Sequence, residues 1–191
     1  MARRGEGTPP DEAILSKYEA WCGYVNGDPS TDNGGVEIDV LNQWRKSIFW
    51  GHPLTMYADP DVRNLEHVCK AIEVLGGVYI GLALPVSAQG QSTWDVAPGP
   101  EGVPGSWGGH AVFVPKYRTE PDGKLVFTCI SWGELIDITE AFWNFNDPTD
   151  GAYVDEVHAL VAPEFLSLTT GESPEGLDLA AMQADALLVA G

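Results

Sequence analysis

The sequence predicts an α+β fold, a helical front half packed on a small antiparallel sheet. Three observations predict it. Apolar residues recur at helical spacing in three segments before residue 76. A near-continuous apolar run, Val78 to Leu84, follows them, as in a strand buried on both faces. Two further runs, His110 to Pro115 and Lys124 to Ser131, flank the turn sequence Glu120-Pro121-Asp122-Gly123, which reads as a hairpin. With 191 residues the chain is one domain. Residues 1–10 form a polar Gly/Pro leader and residues 11–191 the domain. Its mainly helical part covers 11–75, its sheet part 76–165, and a C-terminal helix falls within 166–191.

Pro10 and Asp11 suit the start of a helix reaching Cys22, with Ile14, Leu15, Tyr18 and Trp21 on its apolar face. Residues 23–35 are a Gly/Asn/Asp/Pro loop. Asp28, Ser30, Asp32, Asn33 and Glu37 imitate part of a calcium loop. The required sixth-position Gly is Asn33 and the terminal Glu is Asp39, so an Asx-rich turn is the ordinary reading. The second helix spans 36–48, with Val36, Val40, Leu41, Trp44 and Ile48 on one face. Leu54 to Ala58 is strand-like. Asp59-Pro60-Asp61 opens a third helix to Leu75, which Gly76-Gly77 stops. Residues 86–108 exceed the usual ~12–15 residue limit for a structureless connection and so form a candidate binding loop. Short strands at Leu135 to Ile138 and within Ala152 to Val161, a helical turn at 139–145, and a helix opening at Ser173-Pro174 complete the chain.

Ten Lys and Arg against 28 Asp and Glu give a net charge of −18. That field repels phosphate backbones and anionic bilayers, so neither nucleic acid nor membrane is an expected partner. No run approaches the ~18 apolar residues of a membrane span, and no secretory signal is visible, so a cytoplasm is the expected location. Cys22, Cys69 and Cys129 are too scattered for a disulfide framework and offer no Cys-x-x-Cys pair. His52, His67 and His158 show no metal-ligand spacing, so no metal or cofactor is expected.

Three segments, in this order, resemble the papain-like cysteine peptidase superfamily, in the manner of divergent bacterial and phage-encoded members. The first is the helix that runs across a tight turn into a buried strand, Val68-Cys69-Lys70-Ala71-Ile72 and then Gly76-Gly77-Val78-Tyr79-Ile80-Gly81. The second is Gly108-Gly109-His110-Ala111-Val112, similar to the strand that bears the family's catalytic histidine. The third is Ser131-Trp132-Gly133, similar to the family's Asn-Ser-Trp-Gly. The resemblance covers roughly residues 11–165. It implies a papain-like fold with a half-barrel sheet, His110 as the base, and Trp132 lying over its ring.

Two departures bear on activity. Ile130 stands where the family has its imidazole-orienting Asn, and strand alternation puts Ser131 on the opposite face from it. The family's nucleophilic Cys opens a long helix behind an oxyanion-hole Gln, whereas the front of this fold is shortened. Cys22 is the one upstream cysteine, and it sits at a helix end where the dipole disfavours a thiolate.

The candidate catalytic residues are therefore His110 and Cys22, and the candidate binding residues Trp94, Trp107, Ser131 and Trp132. Trp94 and Trp107 either line a groove or pin the long loop to the sheet. The expected function is a papain-fold protein that lacks the nucleophile and binds a protein or peptide partner or serves in assembly. The alternatives are an active thiol peptidase or amidase, using Cys22 or a cysteine upstream of Met1, and a virion structural component. A homo-oligomer is compatible with each.

Overall fold

A computed structural model of the chain describes residues 8–162. The expected C-terminal helix at 173–189 and most of the expected leader lie outside them. The described residues form a mixed α+β structure with four α-helices and a seven-stranded sheet. They divide into two compact units, residues 8–56 with 161–162, and Tyr57–Leu160. Among the described residues no helix is long and apolar enough to cross a membrane.

The first unit holds α1 (Asp11–Cys22) and α2 (Glu37–Lys46). Helix α1 ends at Gly23 with φ +77, the left-handed cap that glycine adopts without a Cβ penalty. The loop after it is the Asx-rich turn: Asp28 Oδ1 accepts from the Ser30 amide at 3.1 Å and the Ser30 hydroxyl at 2.6 Å. Helix α2 carries Glu37 and Asp39 in its first turn and Arg45 and Lys46 in its last, matching the macrodipole at both ends. A tight turn follows, with Phe49 and His52 bridged and positive φ at Trp50 and Gly51.

The second unit is built on the sheet. Its elements are β1 (Met56–Ala58), α3 (Leu65–Leu75), β2 (Val78–Leu84), β3 (Thr93–Trp94), β4 (Gly108–Thr119), β5 (Leu125–Ser131), β6 (Glu134–Thr139), α4 (Glu140–Asn144), β7 (Asn146–Asp147), β8 (Gly151–Ala152) and β9 (Val154–Val161). The strand order is β1-β9-β2-β4-β5-β6-β3, with β7 and β8 as a separate pair. The pairs from β9 through β6 are antiparallel, as expected; the two-residue β3 joins β6 in parallel.

Helix α3 begins at Leu65, later than the Asp59-Pro60-Asp61 entry expected. Asp61 Oδ1 accepts from the Arg63 amide in a local turn, and Asn64 caps the helix through the His67 amide. The stop at Gly76, φ +79, is where the sequence placed it. Strand β2 has the expected limits, and Val78, Ile80, Leu82 and Leu84 on it are buried. Arg63 anchors this unit: its guanidinium donates to the carbonyls of Trp143 at 2.6 Å and Val154 at 2.9 Å, while Trp143 Nε1 donates to the Val62 carbonyl at 3.0 Å.

Strand β4 runs four residues beyond the expected Pro115 limit. Proline cannot donate to a ladder, and the β4–β5 register slips by one residue between Phe113 and Lys116. The pairing is Phe113↔Ile130 on one side of this bulge and Lys116↔Thr128 on the other. One extra residue on β4 reverses which β5 side chains share a face with the start of β4.

The long connection between β2 and β4 is ordered by hydrogen bonds rather than open. Gly105 N–H donates to the Ala83 carbonyl at 3.1 Å, Trp107 N–H to the Leu84 carbonyl at 3.0 Å, and Val86 N–H to Ser106 Oγ at 3.0 Å. Gln91 and Asp95 bond each other through Asp95 N–H and Gln91 Nε2. The Tyr153 hydroxyl donates to the buried Gly102 carbonyl. A Cβ at Gly102 would lie 1.9 Å from the Ala97 carbonyl oxygen, which is backbone and has no rotamer to escape into. Gly102→Ala is expected to destabilise the protein by about 1–3 kcal/mol, in the range of overpacked sites. The check is a lower denaturant midpoint at unchanged m-value.

Candidate functional site

His110 stands three residues into β4, opposite Leu82 of β2. Its Nε2 lies 2.8 Å from Ser131 Oγ, at the end of β5. Sequence alternation had assigned Ile130 to the imidazole side and Ser131 to the other, and the structure reverses this. The bulge between Phe113 and Lys116 pairs Ile130 with Phe113 on the outer face, where Ile130 is 47% exposed, and brings Ser131 to the His110 face at 4% exposure.

Ser131 and Glu134 pair across a two-residue hairpin turn formed by Trp132 and Gly133. Both turn residues have positive φ, +48 and +80, the pattern of a type I′ turn. A non-glycine residue there costs on the order of 1–2 kcal/mol. The strained turn lays the Trp132 indole flat on His110, with ring centroids 4.5 Å apart and planes 13° from parallel. Trp107 packs against Trp132 at 5.2 Å and 32°. Beneath them Trp94, 0% exposed, meets both the His110 and Trp132 rings edge-on at 6.3 and 6.2 Å.

Of the two tryptophans of the long loop, Trp94 thus pins it to the core, packing on Phe142 of α4, while Trp107 is 40% exposed and lines a groove. The groove has a volume of about 170 Å3. Leu84, Gly108 and Gly109 line it together with Trp107, His110 and Trp132. Thr139 ties the loop to α4: its hydroxyl donates to Asp95 Oδ1 at 2.7 Å and accepts from the Phe142 amide at 3.1 Å. Aromatic periodicity alone could not separate Trp94 from Trp107, because the parallel β3–β6 pairing that buries Trp94 is only two residues long.

Burial lowers the His110 pKa from its ordinary value, so the ring is neutral at pH 7. With Nε2 engaged by Ser131, Nδ1 has no hydrogen-bond partner among the described residues. A neutral ring with one nitrogen held and the other available is the arrangement of a general base. Ser131 is too enclosed to be an accessible nucleophile and acts by holding the ring.

The thiols are in a different state. Burial pushes Cys129 up to about 12, and burial with the nearby Glu73 carboxylate pushes Cys69 up to about 11. Cys22 is also raised by burial. It is the last residue of α1, at the negative end of the helix dipole, and its Sγ fills the space where Gly35 has no Cβ. None of the three is a thiolate at neutral pH. No protein-family model matches the chain, and no curated protein matches it.

Two pH effects follow from these groups. His110 is harder to protonate in the fold than in the unfolded chain. Its contribution to stability is therefore full above pH 6.5 and is lost as pH falls through the folded pKa. Its ring resonances in an NMR titration should give a midpoint below 6.5. Cys69 and Cys129 favour the protonated thiol, so their contribution is full below pH 9.0 and is lost as pH rises toward about 11 and about 12. The thermal midpoint should hold up to pH 9.0 and drop beyond it.

Proposed function

We propose that the protein has a papain-like, cysteine-peptidase-like fold and that the groove around His110 binds an extended segment of a protein or peptide partner without a thiol nucleophile from Cys22, Cys69 or Cys129. The observation that carries the reading is the clamped imidazole. Ser131 holds it, Trp132 covers it, and it opens on a groove walled by two exposed indoles, while all three thiols stay protonated. Exposed aromatic rings set in a concave site with few polar groups are the usual makings of a recognition site. Without covalent chemistry such a groove serves binding or assembly, including assembly of a virion.

A second reading, a thiol peptidase or amidase, is favoured by one specific feature: the neutral His110 with its Nδ1 unengaged among the described residues. It requires a thiolate beside that ring, supplied by Cys22 or by a cysteine upstream of Met1.

One experiment separates the two. The full chain is incubated at neutral pH with an iodoacetamide probe and with a fluorogenic peptide library, and indole fluorescence is followed in parallel. The binding reading expects slow labelling of all three cysteines, no turnover, and a fluorescence change with some peptides that Trp132→Ala weakens at least tenfold. Rapid labelling and turnover, both abolished by His110→Ala, would replace it with the hydrolase reading.

A further inference from the structure

The backbone of β4 is paired on one side only where it borders the groove. Strand β2 pairs with it from Val114 to Gly108. Strand β5 pairs with it from Phe113 onward, because β5 ends at Ser131 and the chain turns back through Trp132 and Gly133 into β6. Among the described residues, Gly108 to Val112 therefore have a strand on the β2 side and none on the other.

The direction of the open groups follows from alternation. In an antiparallel ladder the N–H and C=O of one residue point to one neighbour, and those of the next residue to the other. Ala83 N–H donates to the Tyr153 carbonyl at 2.8 Å, at the head of β9. Leu82 and Leu84 then face β4, in keeping with the bond from Trp107 N–H to the Leu84 carbonyl at 3.0 Å. Their partners His110 and Gly108 face β2 in return, and Gly109 and Ala111 turn their N–H and C=O to the open side. Phe113, the next residue of that parity, pairs with Ile130. No backbone bond of Gly109 or Ala111 occurs on the open side among the described residues, and both residues are exposed.

The groove runs along this edge, lined by Gly108, Gly109 and His110. A Cβ on Gly108 or Gly109 would meet no atom within 4 Å, so nothing stands over the backbone there. An edge with open donors and acceptors is a template for another extended chain, which must approach to about 4.8 Å.

We propose that the groove takes its occupant by the main chain: an extended, proline-free peptide segment adds to β4 as an antiparallel strand, beyond the end of β5, on the N–H and C=O of Gly109 and Ala111. This rests on the peptide-binding reading above and adds how the segment is held. In strand addition the main-chain bonds supply affinity, and alternate side chains supply choice. The peptide residue between the two bonded ones places its side chain on the His110 face. A second copy of this chain is a poor occupant, since each copy carries a net charge of −18.

The test uses the full chain and three forms of one blocked hexapeptide, acetyl-Val-Thr-Val-Thr-Val-Thr-amide. The first is unmodified, the second is N-methylated on the valines, and the third is N-methylated on every residue. Alternate methylation leaves one edge of the peptide able to bond, and full methylation leaves none. By indole fluorescence the first two should bind within threefold of each other and the third at least tenfold more weakly. Amide hydrogen exchange read by NMR gives the protein's side of the pairing. With the unmodified peptide at saturation, the Gly109 and Ala111 amides should slow at least tenfold, while the His110 and Val112 amides, already turned to β2, should not change.

Equal binding of the unmodified and fully methylated peptides, or slowing spread evenly over residues 109–112, overturns strand addition and leaves peptide binding standing. Failure of all three forms, with binding of other peptides from the library, does the same. Failure of every peptide overturns both.

Discussion

The candidate site depends on one extra residue in β4. If the β4–β5 ladder kept the pairing it has at Lys116↔Thr128 all the way to its other end, Ile130 would share a face with His110, and Ser131 would point to the opposite side. The slip between Phe113 and Lys116 exchanges them. A methylene-rich side chain that could not bond the imidazole is turned outward, and a hydroxyl is brought to 2.8 Å from Nε2. The next two residues then have to make the hairpin turn, so the same slip decides where Trp132 is placed. A one-residue slip in the stretch between Phe113 and Lys116, which holds Pro115, thereby sets the geometry of a histidine at the head of the same strand.

Much of the fold was legible because its elements carry strong local signals. Helix α1 and strand β2 have the limits that periodicity and the glycines Gly23 and Gly76 predict. The start of α3 was not, because Asp61 and Asn64 are both good cap residues and only the local turn at Asp61 decides between them. At the site, the proximity of His110 to Trp132 was readable from the order of the motifs. The role of Ser131 was not, since a bulge leaves no periodic trace beyond a proline inside an otherwise regular strand. The burial of Trp94 was equally hidden: it depends on a parallel pairing between segments more than forty residues apart.

The chemistry available to the second unit follows from what is kept out of water. His110 is half-buried among indoles and binds a proton less tightly than usual; the buried Cys69 and Cys129 hold theirs more tightly. Desolvation pushes a base and a thiol to the same side, toward the uncharged form. A thiolate–imidazolium pair needs the opposite environment, one that stabilises two charges next to each other. In this unit the polar and aromatic groups surround a neutral ring, and the aromatic series His110, Trp94, Phe142 and Tyr153 carries that dry environment from the groove into the core.

The Trp132-Gly133 turn sets backbone preference against side-chain packing. Asparagine fits the first central position of such a turn far better than tryptophan, so drift under selection for stability alone would replace Trp132. The replacement would relax the backbone and at the same time strip the cover from His110 and one wall from the groove. A bulky aromatic at a position that favours Asn or Gly gives up backbone ease for the cover that its ring lays on His110.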